Sequence, residues 1–371
     1  MIMGLAARMS KPAYNSFQRQ LIAANEDAAA FFRRHLLGRV EPGPRLYLIE
    51  RGFGFLVEES KWAAGYAPGT WVGLRNHLAG LGYSDDVMLA SGLLSTGAKG
   101  QMYDTFRDRV TLPVRDAAGH VIAFIARKAP NAPGSSPKYL NTRRTEIFNK
   151  GTALFGLSEL STAVPERVVV TEGPFDAIAA DLATGGETAA LAVCGTALTA
   201  EHASTISQLG AKDVVLAFDP DAAGGRAIAC AFHHLAGTTD VLAAHLPSRL
   251  DPAGALAALG PTVLGQSIKR ARPAADEVVD QHFRSWRSDQ VGAEATVCLL
   301  REVLTDVRRM PKEQVARQVA RLAEALPFTP AQITEELVDL DDSKSARTEA
   351  PSRLTAPLAP PERKVAQGRC P

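Results

Sequence analysis

No two cysteines of this chain form a C-x-x-C pair, and none stands near a histidine at zinc-ligand spacing. Cys194, Cys230, Cys298 and Cys370 are scattered, which excludes an encoded zinc module and suits a reducing, cytoplasmic setting. No apolar run reaches the roughly 20 residues of a membrane span. The N-terminus lacks the apolar core of a signal peptide. Aromatics make up only 6% of the 371 residues, so the 46% apolar content must build its cores from Ala, Val and Leu. Excess charge is missing too. The net is +1, which by itself indicates no polyanion partner.

The distribution of charge says more. Residues 1–160 carry 20 Lys+Arg against 13 Asp+Glu, and the remainder carries 21 against 27. A basic half joined to an acidic half suits a polyanion track beside a metal site, although solvated faces can produce the same asymmetry. At about 150 residues per domain the length allows two or three domains.

Along the chain, residues 1–16 look loose. Apolar spacing predicts a helix over Phe17–Leu37, then shorter ones over Leu46–Arg51, Trp71–Gly80 and Asp85–Ala90. From Lys99 the period changes to two. Thr111–Val114 and His120–Ala126, joined by a turn ending on Gly119, read as a hairpin. Between Lys99 and Lys150 stand 10 Lys+Arg against 4 Asp+Glu, interleaved with Tyr103, Phe106 and Tyr139. That pattern suits phosphate neutralisation with base stacking, and equally a solvated hairpin face.

The region 165–250 alternates strand and helix: strands 167–171, 189–194, 213–218 and 240–246, helices 174–184, 199–209 and 222–236. This is the pattern of a parallel sheet covered on both faces. Three of its strands deliver acid at or just past their carboxyl ends: Glu172, then Asp219 and Asp221, then Asp251. Ligands of open α/β sheets bind at that edge. Gathered carboxylates repel one another unless a hard cation such as Mg²⁺ neutralises them. Pro220 keeps Asp219 out of helical geometry, so Asp219 and Asp221 project to one side. Asp176 sits in a first helical turn and can serve the helix or reach toward the acids. Gly224 and Gly225 permit a close approach by the following helix.

Glu172-Gly-Pro-Phe-Asp176 and Asp219-Pro-Asp221, in that order, resemble the two signatures of the TOPRIM domain. The flanks TFRDRVTLPVRDAAGHVIAFIAR (105–127), PKYLNT (137–142) and IFNKGTALFGL (147–157) resemble the basic subdomain of DnaG-type primases. So do segments 21–36, 48–71 and 246–260, and the likeness covers roughly residues 17–340.

The resemblance implies an α/β fold in segments. A flexible N-terminus (1–16) leads into a mixed α+β basic subdomain (17–160). A Rossmann-like, mainly parallel TOPRIM domain (161–265) follows, then a small helical bundle (266–340). After it comes a tail (341–371) whose composition reads as disordered. It further implies that Glu172, Asp219 and Asp221 are catalytic, and that they hold Mg²⁺ or Mn²⁺ together with Asp251, supported by Asp176. Arg51, Arg107, Arg109, Arg127, Lys138, Tyr139, Asn141 and Lys150 would hold template, nucleotide or primer. The implied activity is RNA primer synthesis on single-stranded DNA from ribonucleoside triphosphates. A replicative helicase or a separate zinc-ribbon protein is the expected partner, because neither a zinc-ribbon nor a helicase-binding segment is recognisable. The chain departs from the family pattern at Ala253, where an Asp is usual, and at Ile125-Ala126, Asn149 and Thr105. A TOPRIM nuclease and a non-catalytic single-strand-binding accessory protein are the competing readings.

Overall fold

The structure, a computed structural model, describes residues 12–38, 42–129, 136–161, 164–247, 250–286 and 293–348. Helix α1 (Ser16–Leu37) starts on a capping box in which Asn15 and Gln18 satisfy each other's backbone amides. Its buried face, Leu21, Ala24, Ala28, Phe32 and Leu36, repeats at helical spacing. Helix α2 (Gly43–Glu50) follows, then a 3₁₀ turn (Gly54–Val57) and strand β1 (Gly65–Ala67). Helices α3 (Gly73–Gly80) and α4 (Asp85–Ala90) precede a small ribbon of β2 (Leu94–Thr96) and β3 (Met102–Asp104). The expected hairpin is β4 (Arg109–Arg115) with β5 (Val121–Lys128); both strands run two residues further at the open end than the periodicity showed, and β5 starts one residue later at the turn. Strand β6 (Tyr139–Asn141) completes an antiparallel sheet of order β1-β4-β5-β6. Phe32, Phe106 and Phe124 meet edge to face between this sheet and α1, with centroids 5.4 to 6.4 Å apart. Few rings suffice because they are concentrated here.

The second sheet is mostly parallel. Strand β7 (Arg167–Thr171) leads through α5 (Pro174–Ala183) to β8 (Ala189–Ala192), then through α6 (Ala200–Gln208) to β9 (Asp213–Leu216). From there α7 (Ala222–Leu235) leads to β10 (Asp240–Ala243). Val168, Val169 and Val170 are wholly buried, as a strand covered on both faces requires. The α/β reading and its alternation hold, with each of the last three strands two or three residues shorter than expected. Beyond lie α8 (Pro252–Leu259), α9 (Pro261–Lys269), β11 (Arg272–Pro273) and α10 (Ala274–Ser285). Strand β11 adds antiparallel to β10, giving the order β11-β10-β9-β7-β8.

Helix α11 (Ala293–Val307) precedes α12 (Lys312–Ala325), and α13 (Pro330–Thr348) continues past Leu340, where the sequence suggested an end. The chain forms two compact units, the first to Gln318 and the second from Val319. In the second, the Thr329 hydroxyl caps α13 by accepting the Gln332 amide at 3.3 Å. Of the loose N-terminus only 12–16 falls within the described residues. The tail from 349 lies outside them.

Candidate active site

The four acids are delivered by the topology of the second sheet. Strands β7 and β9 are neighbours, yet the chain leaves β7 for β8 on one side and returns to β9 on the other. Loops diverge at such a switch point and leave a crevice at the carboxyl ends. Glu172 immediately follows β7, and Asp219 lies just beyond β9. The Asp219 amide donates to Glu172 Oε1 at 3.3 Å, so the two loop ends touch. Asp221 caps α7 with extended backbone, its Oδ1 accepting the amides of Ala223 and Gly224 at 2.8 Å each. Asp251 caps α8 in the same way, accepting the Gly254 amide at 2.6 Å. The close approach expected at the glycine pair is real. A Cβ on Gly224 would stand 1.9 Å from the Asp219 carbonyl oxygen, so only glycine lets α7 start against that loop.

The carboxylates raise one another. Burial, then the Asp219 charge, lifts Glu172 above the usual range. Burial, then Asp251 and Asp221, does the same to Asp219. Asp176 is 8% exposed and is pushed up to about 7 by burial, then by Asp251. Its Oδ1 accepts the Ala253 amide at 3.0 Å. Ala253, the departure from the usual Asp, is itself buried, and its backbone still anchors Asp176. A set of mutually repelling oxygens with no sulfur or imidazole among them matches a hard cation that keeps part of its water shell. Among the described residues no three His, Cys, Asp or Glu side chains close directly around a single ion position.

Strand β6 supplies the opposite wall. Asn141 pairs with Ile125 and Tyr139 with Arg127 across the β5–β6 ladder, so these four side chains share one face of the first sheet. That face and the acid edge enclose a cavity of about 200 Å³ lined by Lys138, Tyr139, Asn141, Glu172, Asp176 and Asp219, with Asp251, Cys194 and Gly195. Asn141 Nδ2 donates to the Cys194 carbonyl at 3.0 Å. A carbonyl can only accept, which fixes the amide's orientation and leaves Oδ1 buried without a hydrogen-bond partner. Lys138 lowers Asp219 against its other neighbours, so its charge reaches the acids.

The remaining basic residues divide. Arg107 is half-buried between two rings. Arg51 donates to the Tyr47 hydroxyl at 3.3 Å, and its Nε is buried without a partner. Lys150 is half-buried near Cys194, whose thiol burial pushes up to about 12 against the pull of the Phe155 amide and the Lys150 charge. Two of the expected contacts have partners inside the protein. Arg109 is 4% exposed and its Nη1 donates to the Pro137 carbonyl at 2.9 Å, so it fastens the segment before β6. Arg127 is enclosed by Tyr47, Tyr139 and Phe175 and donates to both tyrosine hydroxyls, at 2.5 Å to Tyr139. It braces the cavity wall. Phe106, read as a stacking aromatic, is 1% exposed and belongs to the core.

Sequence reasoning missed Tyr47, which had no motif to mark it and reaches Arg127 across 80 residues. It also missed a second wall. A cavity of about 990 Å³ joins Asp219, Asp221 and Asp251 to Arg226, His282, Arg284 and Asp306. Asp306 accepts from His282 Nε2 at 2.9 Å and lies 3.5 Å from His233 Nε2; these histidines hold its carboxyl well below the usual range.

Comparison with known proteins agrees with this architecture. Residues 31–161 match the family described as DNA primase catalytic core, N-terminal domain, and residues 169–256 match the Toprim-like family. The DNA primase of Deinococcus radiodurans is 40% identical over 247 residues, covering 65% of this chain and 41% of that protein. That of Streptomyces coelicolor is 33% identical over 332 residues, covering 85% and 50%. The chain thus spans half or less of the length of these curated relatives. A DNA primase domain from Pseudomonas aeruginosa superposes with a TM-score of 0.71 at 27% identity, over 85% of this chain and 99% of that one. The RNA polymerase domain of the Mycobacterium tuberculosis primase DnaG gives 0.69 at 28%, over 83% and 99%.

Proposed function

This chain is homologous to the catalytic core of bacterial DNA primases, and we propose that it synthesises short RNA primers on single-stranded DNA. The observation that carries the reading is the single cavity in which the acid edge of the second sheet faces Lys138, Tyr139 and Asn141 of the first. Joining nucleotides needs both walls at once: carboxylates for the reacting phosphates, and donors or an open acceptor for the sugar and backbone. Relatives described as bound to single-stranded and double-stranded DNA share this fold.

Glu172, Asp219, Asp221 and Asp251 are the residues that would hold Mg²⁺ or Mn²⁺. Such an ion stabilises charge on the transferring phosphoryl group. The chain's own groups do the rest. The attacking 3′-oxygen forms its bond to the α-phosphorus as the bond to the bridging oxygen breaks and pyrophosphate departs. Burial, then the Asp219 charge, raises the Glu172 carboxyl, and the Asp219 amide holds its Oε1, so this carboxylate is placed to receive the hydroxyl proton. Asp176 orients the acid loops through Ala253. Arg51, Arg107 and Lys150 are the cations open to template or nucleotide, within a basic subdomain spanning 17–160 beside a TOPRIM domain at 161–265. Within the helical part expected at 266–340, α10 and α11 supply Gln281, His282, Arg284 and Asp306 to the larger cavity. A cytoplasmic setting, with a helicase or a zinc-ribbon protein as partner, completes the proposal. Among the described residues no helix is long and apolar enough to cross a membrane.

The test is incubation with circular single-stranded DNA, labelled ribonucleoside triphosphates and Mg²⁺ or Mn²⁺. Template-dependent RNA of short length supports the proposal. Nicked circles point to a nuclease. Retarded but unmodified circles point to a binding factor.

A further inference from the structure

The acid edge stands between two cavities. Asp219 and Asp251 line both, Glu172 and Asp176 only the smaller, and Asp221 only the larger. The larger cavity is otherwise walled by α7, α10 and Asp306 of α11. Helices α7 and α10 close on each other at Gly225, where a Cβ would stand 1.3 Å from Gln281 Nε2.

Three basic residues line this space, and two are committed within the protein. Arg284 donates Nη1 and Nη2 to Glu277 Oε1 and Oε2 at 2.7 and 2.8 Å. His282 Nε2 lies 2.9 Å from Asp306 Oδ2. Arg226 is different. It is exposed and makes no hydrogen bond or ion pair among the described residues. Ala222 and Ala229, one turn away on either side of the same helix face, are too short to cover it. Arg226 stands five residues past Asp221, roughly 7.5 Å along the helix axis at ~1.5 Å per residue.

An arginine without an internal partner does nothing for the fold. A guanidinium fork within side-chain reach of carboxylates suited to a hard cation matches an anion that bridges the two, and a polyphosphate is such an anion. In-line displacement fixes which part of a nucleotide enters each cavity, because the attacking and leaving oxygens stand on opposite sides of the phosphorus. Glu172, placed to take the hydroxyl proton, lines the smaller cavity. The leaving group then departs into the larger one.

We propose that the larger cavity is the leaving-group compartment and that Arg226 stabilises the departing pyrophosphate. As the 3′-oxygen gives its proton to Glu172 and bonds to the α-phosphorus, the bond from that phosphorus to the bridging oxygen breaks. The electron pair stays on the bridging oxygen, and the charge gathering on the pyrophosphate meets the guanidinium. The anion's role as a leaving group rests on the primer-synthesis reading; the anion site does not.

The test compares the full wild-type chain with Arg226→Gln and Arg226→Lys, which should melt alike because the side chain is exposed. Calorimetric titration with inorganic pyrophosphate in Mg²⁺ should show about tenfold weaker binding by Arg226→Gln, the worth of one charge-assisted hydrogen bond, and partial recovery in Arg226→Lys. In ribonucleotide incorporation, Arg226→Gln should lower kcat by about a hundredfold with template affinity unchanged. Nucleotides with difluoromethylene or methylene in place of the β,γ-bridging oxygen make leaving groups of lower and higher basicity. The rate gap between them should widen in Arg226→Gln, whereas a merely structural arginine would leave it fixed. Pyrophosphate binding by Arg226→Gln equal to that of the wild type, or an unchanged rate gap, overturns the assignment. In a chain that makes no primers, pyrophosphate binding that depends on Arg226 keeps the anion site and removes the synthetic reading. Primer synthesis with both readouts unaltered in Arg226→Gln removes the anion site alone.

Discussion

The Asp176 carboxylate accepts the backbone amide of Ala253 at 3.0 Å, joining the first turn of α5 to the first turn of α8. Burial and the nearby Asp251 lift this carboxyl to about 7, against about 3.9 for an unperturbed Asp. Between those two values the folded chain carries a proton that the unfolded chain has lost. The resulting stabilisation is complete below about pH 4 and disappears as pH rises through 7. Glu172 and Asp219 are shifted in the same direction and add to the slope. In chelator, the melting midpoint should therefore fall by several degrees from pH 5 to pH 8. Asp176→Asn keeps an oxygen for the Ala253 amide and should flatten part of that fall. Parallel curves for the two proteins would contradict the assignment.

The glycine pair separates two kinds of crowding. Gly224→Ala sets a methyl against the Asp219 backbone, which has no side chain to swing away. It should cost about 1–3 kcal/mol in denaturant titration and displace the acid loop, lowering ribonucleotide incorporation at least tenfold. Gly225→Ala meets only the Gln281 side chain, which can rotate. Its cost should stay under about 1 kcal/mol, with incorporation largely kept.

Two arginines of one motif should behave oppositely. Arg109→Ala removes a buried guanidinium from the Pro137 carbonyl and should lower the melting midpoint while leaving the salt dependence of single-strand binding unchanged. Arg107→Ala should leave the midpoint nearly unchanged and reduce the salt slope by about 0.7, the value for one lost phosphate contact. A salt titration of each variant decides.

Much of this was legible in the sequence. The β-branched runs ending on Glu172 and Asp219 mark buried parallel strands, and Pro220 and the glycine pair foretell the turn that follows. Asp85–Ala90 was found to the residue, and Ser84 caps it by accepting the Val87 amide at 3.3 Å. The short strands β1, β2, β3 and β6 were not legible, since three residues cannot display a period and their pairing depends on distant partners. Helix α8, PAGALAAL, is almost wholly small or apolar and gives little contrast between its faces. The internal partners of Arg109 and Arg127 were hidden for a related reason. A basic residue in a strand looks solvent-bound until the tertiary fold brings a carbonyl or three rings against it. Asp306 stands 24 residues from His282 and 73 from His233, and no local signal links them.

The central claim is that the acids at the carboxyl edge of the second sheet drive metal-dependent synthesis. Asp219→Asn lowers the mutual repulsion, so the metal-free fold should be no less stable, while one anionic oxygen set is lost. The decisive measurement is labelled ribonucleotide incorporation on circular single-stranded DNA across a Mg²⁺ titration, wild type against Asp219→Asn. Metal-dependent incorporation that falls by about a hundredfold or more in the variant is the expected result, because metal stabilisation of phosphoryl transfer is worth several kcal/mol. Equal incorporation by the two proteins would show that these carboxylates are structural.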